Sequence, residues 1–331
     1  MNTDSRTQDQ PSPAAAGANR RIVTALRQAD TQLLARYPLL GRNDLVSMGF
    51  FLGACGVGAG LAMGWSSGTV PTAAAILGLA LALSVLHELE HDLIHDLYLA
   101  PPWIRRPVLT VIWIAKASVD PWLRGRWHLW HHRVSGQPED VEERLIGLGM
   151  PWGPYRALIT LLPLTALFIK PNLKRAVAAR VSAGGKRPDF RYLRAGWFFQ
   201  GVTGVFVSLP LIAGGGLIVS APWAWPLLVL WVLPNTIRHA TIVIMSSNSH
   251  YTEIARGAVV EQNQIIDHPL FWPLQIFCWN FGATHVVHHF MVRQPFWRRT
   301  LVFGSVRQTL IDNGVPANDL GTFRRANRRL A

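Results

Sequence analysis

Nine of the twelve histidines fall into three clusters: His87, His91 and His95; His128-Leu-Trp-His131-His132; and His285-Val-Val-His288-His289. On a helix of 3.6 residues per turn, histidines spaced by four form one slowly drifting stripe. In each HxxHH cluster the first histidine neighbours both later ones, so two imidazoles can chelate one ion while the third reaches a neighbouring ion. Neutral imidazole suits iron, copper, nickel and zinc, whereas carboxylate and water suit magnesium and calcium. Eight or nine imidazoles exceed what one ion accepts, so the pattern points to a dinuclear centre. Carboxylates lie among the clusters: Glu88, Glu90, Asp92 and Asp96 near the first, Glu139 and Asp140 after the second. Their expected role is to accept the second ring N–H of a ligand and fix its tautomer, with Glu88, Glu90 and Asp92 the leading choices. For Asp96 and Glu139 ordinary solvated charge is an equal reading.

A competing pattern is His87-Glu88-Leu89-Glu90-His91, which reads as HExxH and could hold zinc with Glu88 as the general base of a peptidase. That reading leaves both HxxHH clusters unexplained. A soluble di-iron bundle needs two Glu-x-x-His pairs, and Glu88 to His91 is the only such spacing at the clusters. With Cys55 and Cys278 as the only cysteines, a disulfide framework, a CxxC zinc site and a cysteine-held iron–sulfur cluster are excluded.

The elements that must position these histidines are apolar. Half of the 331 residues are hydrophobic and only 15% are charged, against a usual quarter. The uncharged stretches Leu45–Trp65, Ser66–Leu86 and Trp197–Ile237 are long enough for membrane passes of about 20 residues each, the last for two. Four spans are expected, at about 45–65, 66–95, 197–219 and 222–245. They form two hairpins of an all-α integral membrane fold, with His87, His91 and His95 on an extension of the second span. The domain is expected over 20–299, after a disordered tail (1–19) with no signal-peptide pattern and before a basic C-terminal segment (300–331).

Arg20–Arg36 reads as a basic amphipathic helix at the membrane surface. Between Pro101 and Arg194, short apolar runs such as Val108–Ala115 and Ala157–Ile169 read as interfacial helices, with Trp103, Trp113, Trp122, Trp127 and Trp130 at headgroup depth. Pro234 should loosen the last span.

A net charge of +13 would suggest nucleic acid in a soluble protein, but its distribution here argues otherwise. Of the 32 Lys and Arg, six precede Leu45, sixteen lie between Arg105 and Arg194, and nine follow from Arg256. The turns around Gly64–Pro71 and Ser220–Trp225 hold none. The positive-inside rule then places both termini, the middle segment and all histidine clusters in the cytoplasm, on the inner membrane if the source is bacterial. The expected partners of the basic face are membrane lipids and an acidic protein, not nucleic acid.

HxxxH near the end of a span, HxxHH some thirty residues later, then two spans and another HxxHH resembles the membrane fatty acid desaturase and hydroxylase superfamily, over about Leu45–Arg299. The resemblance implies a cytoplasmic-side centre of two iron ions, held mainly by histidines, that uses O2 to remove hydrogen from an unactivated C–H bond. Some members add a histidine near the end of the fourth span, sometimes with an Asn one turn earlier. Here Asn235 and His239 have that spacing and His250 lies further on. His250 is preferred because His239 sits deep in the span, while His268, before Pro269, reads as structural. The expected ligands are therefore His87, His91, His95, His128, His131, His132, His250, His285, His288 and His289, with His239 and Asn235 as further choices.

The expected activity is fatty acyl desaturation. Hydroxylation or alkene-forming decarboxylation of a fatty acid stands as the alternative, with carotenoid oxidation or zinc peptidase activity behind it. Electrons must come from an external donor such as a ferredoxin, a rubredoxin or a cytochrome b5-like protein.

Overall fold

The computed structural model describes residues 12–116, 121–137, 139–145, 151–154, 156–157, 174, 177–187, 222–252 and 259–328. Among them the secondary structure is helical, and pairing between extended segments is limited to isolated bridges such as His250 with Asn263. The longer helices are α1 (Pro13–Arg36), α2 (Asn43–Ser66), α3 (Thr72–Ile94), α4 (Pro102–Lys116), α5 (Pro121–Val134), a short α6 (Val141–Leu145), α7 (Ala224–Ser249), α8 (Phe281–Phe290) and α9 (Phe296–Asp312).

Among the described residues three helices, α2, α3 and α7, are long and apolar enough to cross a membrane. They match the spans expected at 45–65, 66–95 and 222–245, and the one expected at 197–219 lies outside the described residues, as does Ala157–Ile169 from residue 158 on. α2 and α3 form a hairpin through a turn at Gly68, whose φ of +77° suits glycine. Leu52, Val57 and Met63 of α2 are exposed, as lipid-facing side chains must be, whereas α3 buries half of its apolar window against its neighbours. α3 stops at Ile94, with His95 as its C-cap and Asp96 at a φ of +55°.

In α7 the turn Leu228–Val232 is a π-helix. Pro234 has no N–H to donate and its ring crowds the carbonyl of Leu230, so the expected loosening takes the form of that widened turn. Asn235 Nδ2 and Thr236 Oγ1 donate to the carbonyls of Trp231 and Val232 beside it.

The two ends of the chain differ from expectation. α1 begins at Pro13, inside the stretch expected to be disordered, because Ser12 caps it, Pro13 suits its first position and an alanine run follows. Its apolar face, Ala15, Ala18, Ile22 and Leu26, packs against Val302, Val306 and Leu310 of α9 and Val286 and Val287 of α8 rather than on a membrane surface. The segment expected as a basic tail is likewise built in: α9 runs across the boundary at 300, and Asn327 is fully buried, donating to the carbonyl of His250 at 2.9 Å. Trp127, expected among the interfacial tryptophans, is buried, while Trp103 is 77% exposed.

Candidate metal centre

α3 brings His91 and His95 to its C-terminal end, α5 carries His128, His131 and His132, and α8 carries His285, His288 and His289. His250 follows the last residue of α7. The side chains sort into two adjoining groups, within each of which the donor atoms lie no more than 4.8 Å apart. One holds five imidazoles (His91, His95, His128, His132 and His288) and the other four (His131, His250, His285 and His289). Each HxxHH box is split in the same way. The i, i+4 pairs His128/His132 and His285/His289 each stay in one group, and the middle histidine, His131 or His288, crosses to the other. The rings of His132 and His289 are 4.5 Å apart where the groups meet.

Local packing explains the convergence. After α5 the chain turns back at Gly136, whose φ is +74° and where a Cβ would stand 1.9 Å from the carbonyl oxygen of Tyr251. This reversal brings Asp140, Glu142 and Glu143 under the second box. Gly282, at the start of α8, is pressed against Met245, Gln275 and the Ile266 carbonyl, so α8 approaches α7 more closely than any larger residue would allow. Gln275 fixes this approach: its Nε2 donates to the Ile266 carbonyl and its Oε1 accepts the Gly282 N–H at 3.0 Å.

The donor geometry suits metal ions. In the five-membered group the Nε2 atoms of His95, His128 and His132 form a triangle with edges of 2.9, 3.2 and 3.2 Å, and His288 Nε2 lies 3.0 Å from that of His132. In the other group His285 Nε2 lies 2.7 Å from His250 Nε2 and 3.1 Å from His289 Nε2. Two nitrogens at about 2.1 Å from one ion and at right angles to each other are about 3.0 Å apart. Three neutral rings in mutual contact cannot all be satisfied by sharing protons, since each Nε2 offers one proton or one lone pair. His91 makes the same point, because both its ring nitrogens are buried with no hydrogen-bond partner among the described residues.

Electrostatics keep the donors available. Burial drives His132, His285, His288, His289 and His250 well below the ordinary histidine value, and His95 falls to about 2 through burial with help from His128 and Arg299. His131 is the exception: burial opposes its charge, but Asp140, whose Oδ2 lies 2.8 Å from Nδ1, raises it to about 9. A carboxylate only accepts, so Asp140 fixes the proton of His131 on Nδ1 and leaves Nε2 to an ion. Glu142 does the same for His128, with Oε2 2.8 Å from Nδ1. Burial pushes the Glu142 carboxyl up, but His128 and Arg124 outweigh it and hold it below the usual carboxylate range.

The three carboxylates expected to support the ligands sit elsewhere. Glu88 and Asp92 both receive Arg299 from α9, at 2.5 and 3.0 Å, and Asp92 Oδ2 also accepts the Phe296 N–H. Asp92 Oδ1 is 3.5 Å from His91 Nδ1, too long for a hydrogen bond. Glu90 pairs with Lys116 at 2.7 Å and Arg124 at 2.9 Å. With Arg299 on its carboxylate, Glu88 is not placed as the base that an HExxH zinc site requires. Asp96 pairs with Arg105 at the surface, and Glu139 is buried.

His87, Asn235 and His239 lie outside both groups. His87 Nδ1 faces Arg238 Nη1 at 3.4 Å, and Asn235 donates to the Ala115 carbonyl and accepts from Arg238 Nε. His87, Asn235 and Arg238 form a polar junction with Lys116 between α3, α4 and α7, and half-buried His239 lies within reach of its charges. His268 caps a short helix, its Nδ1 accepting the Leu270 N–H. Glu142, Glu143 and Arg299 are the site residues that sequence spacing did not single out; the acidic run Asp140-Val-Glu-Glu beside the second box was the available signal.

Membrane-length helices that end on nine clustered imidazoles define the class of membrane proteins with histidine clusters able to bind metal ions. The family model for fatty acid desaturases matches residues 66–321, a stretch that contains both groups. The chain belongs to the fatty acid desaturase family, and is accordingly an oxidoreductase of lipid chemistry. No curated protein matches it.

Proposed function

We propose that the protein is an O2-dependent di-iron membrane oxidoreductase that desaturates a fatty acyl chain. The observation that carries this reading is the division of nine imidazoles, seven buried and two (His95 and His132) half-buried, into adjoining groups of five and four, each with ligand-like nitrogen spacings. Iron bound there would supply the activation of dioxygen and the removal of hydrogen from an aliphatic C–H bond. The chain's own residues favour the neutral form of every donor but His131, fix His131 and His128 through Asp140 and Glu142, and exclude water by burial. The proposed ligands are His91, His95, His128, His131, His132, His250, His285, His288 and His289, with His87, Asn235 and His239 assigned to the polar junction.

Four spans and a cytoplasmic site are supported by connectivity. The C-terminal ends of α3 and α7 meet at the same histidine groups, so the chain must cross the membrane between Ile94 and Ala224 to enter α7 from the far side. The span expected at 197–219, which lies outside the described residues, is the proposed crossing. The histidine end is also the end with Lys and Arg, whereas the α2–α3 turn holds none. The basic face is the proposed docking site of an acidic electron donor of ferredoxin, rubredoxin or cytochrome b5-like type.

The test is expression of the full chain in a host grown with and without O2, followed by mass spectrometry of lipids and volatiles. New double bonds that require O2 and vanish in His128→Ala are expected. An O2-dependent alcohol or terminal alkene would keep the oxidase and replace the reaction; no oxidised product from any lipid class would overturn both.

A further inference from the structure

The two histidine groups are unequal, and the difference points to one residue. Asp140, Glu142 and Glu143 follow one another under the second box, and each approaches one histidine. Asp140 and Glu142 meet His131 and His128 at Nδ1, the side of the ring away from the cluster. Glu143 differs: its Oε1 lies 3.8 Å from Nε2 of His250, the same nitrogen that faces His285 Nε2 at 2.7 Å. Its carboxylate is therefore on the cluster side of the ring. A distance of 3.8 Å is too long for a hydrogen bond, and it lies between the separations of about 3.0 and 4.2 Å for neighbouring and opposite donors about 2.1 Å from one ion.

Beyond His250, the Glu143 carboxylate feels the charge of the buried Arg156. Glu143 is 2% exposed, and its second oxygen, Oε2, is buried with no hydrogen-bond partner among the described residues. A buried carboxylate oxygen without a hydrogen-bond partner is costly, and a bound cation is one remedy. The backbone holds it in place, since the Glu143 N–H donates to Asp140 Oδ1 at 3.2 Å. Asp140 thereby orients both His131 and the residue three positions on.

We infer that Glu143 is a carboxylate ligand of the ion held by His131, His250, His285 and His289, so that each ion receives five protein donors: five imidazoles on one, four imidazoles and one carboxylate on the other. The inference rests on the reading that the histidines hold two ions. Its consequence is an asymmetric pair, one ion in an all-nitrogen set and its neighbour with a harder, anionic oxygen donor that favours the more oxidised metal.

The experiment compares the full-length protein and Glu143→Gln in detergent, each loaded with iron-57 and challenged with a chelator. Wild type should show two Mössbauer environments, and Glu143→Gln should lose one ion at least tenfold more readily while the other environment is unchanged. The metal-free variant should unfold at the same temperature as wild type or higher, because glutamine is isosteric and uncharged, which separates ligand loss from misfolding. Retention of both irons with unaltered spectra would overturn the assignment, and so would equal loss of both. A parallel zinc titration separates this outcome from failure of the iron reading: Glu143-dependent binding of one of two zinc ions with no iron uptake keeps the ligand and removes the oxidase.

Discussion

Arg299 is the residue through which the last long helix holds the first histidine stripe, and replacing it with methionine should be among the most damaging changes away from the ligands. Its guanidinium donates to Glu88 at 2.5 Å, to Asp92 at 3.0 Å and to the Gln294 carbonyl at 3.3 Å, and all three charged side chains are no more than 3% exposed. One cation serves two carboxylates, so its loss leaves two buried charges with no counter-ion. Breaking a buried ion pair from one side costs about 3–5 kcal/mol, and the shared arrangement puts Arg299→Met at the upper end of that range. Most of the cost comes from stranded charge rather than lost attraction. Adding Glu88→Gln and Asp92→Asn to Arg299→Met should therefore restore at least half of the stability, although the triple variant has fewer ionic contacts than the single one. The assay is unfolding of the metal-free protein in one detergent at one heating rate, since unfolding of a chain this size is often irreversible. A single variant within about 1 kcal/mol of wild type, or a triple variant no more stable than the single, would refute the reasoning.

Three further outcomes are expected. Asp140→Asn and Glu142→Gln should each weaken metal retention by about 10- to 100-fold without changing the ion count at saturation, as a chelator titration would show. Gly136→Ala should destabilise the chain and lower metal uptake, because the new methyl would overlap the Tyr251 carbonyl next to His250; unchanged uptake would mean that this close approach does not position the second box. Burial pushes the Lys116 ammonium down to about 7 despite Glu90 beside it, so between pH 7 and about 10.5 the folded chain binds fewer protons there than the unfolded one. Its burial opposes folding most below pH 7 and less as pH rises, and Lys116→Met should remove that part of the pH slope in an unfolding series.

What could be read from spacing is what depends on one helix at a time. The split of each HxxHH box follows from i, i+3 and i, i+4 geometry, and the apolar stretches foretold α2, α3 and α7 to within a few residues. Of the supporting carboxylates Asp140 was legible beside the second box, but Glu142 was not, because it is chosen by a chain reversal. Gly136 turns Asp140 and Glu142 beneath α5, while the acids interleaved with the first box face Arg299, Lys116 and Arg124 from other helices. His87 lies on the same stripe as His91, yet the stripe drifts by about 40° per four residues, enough to turn it toward Arg238. The basic face of α1 fits a membrane surface and a protein groove equally well, and only the apolar side of α9 decides between them.

The central claim is that the nine histidines hold two irons, and metal analysis of the purified full-length protein tests it most directly. Two irons per chain, lost together with oxidised lipid product in a His128→Ala, His285→Ala double variant, is the predicted result. One ion per chain, or zinc alone after growth with iron in excess, would contradict it.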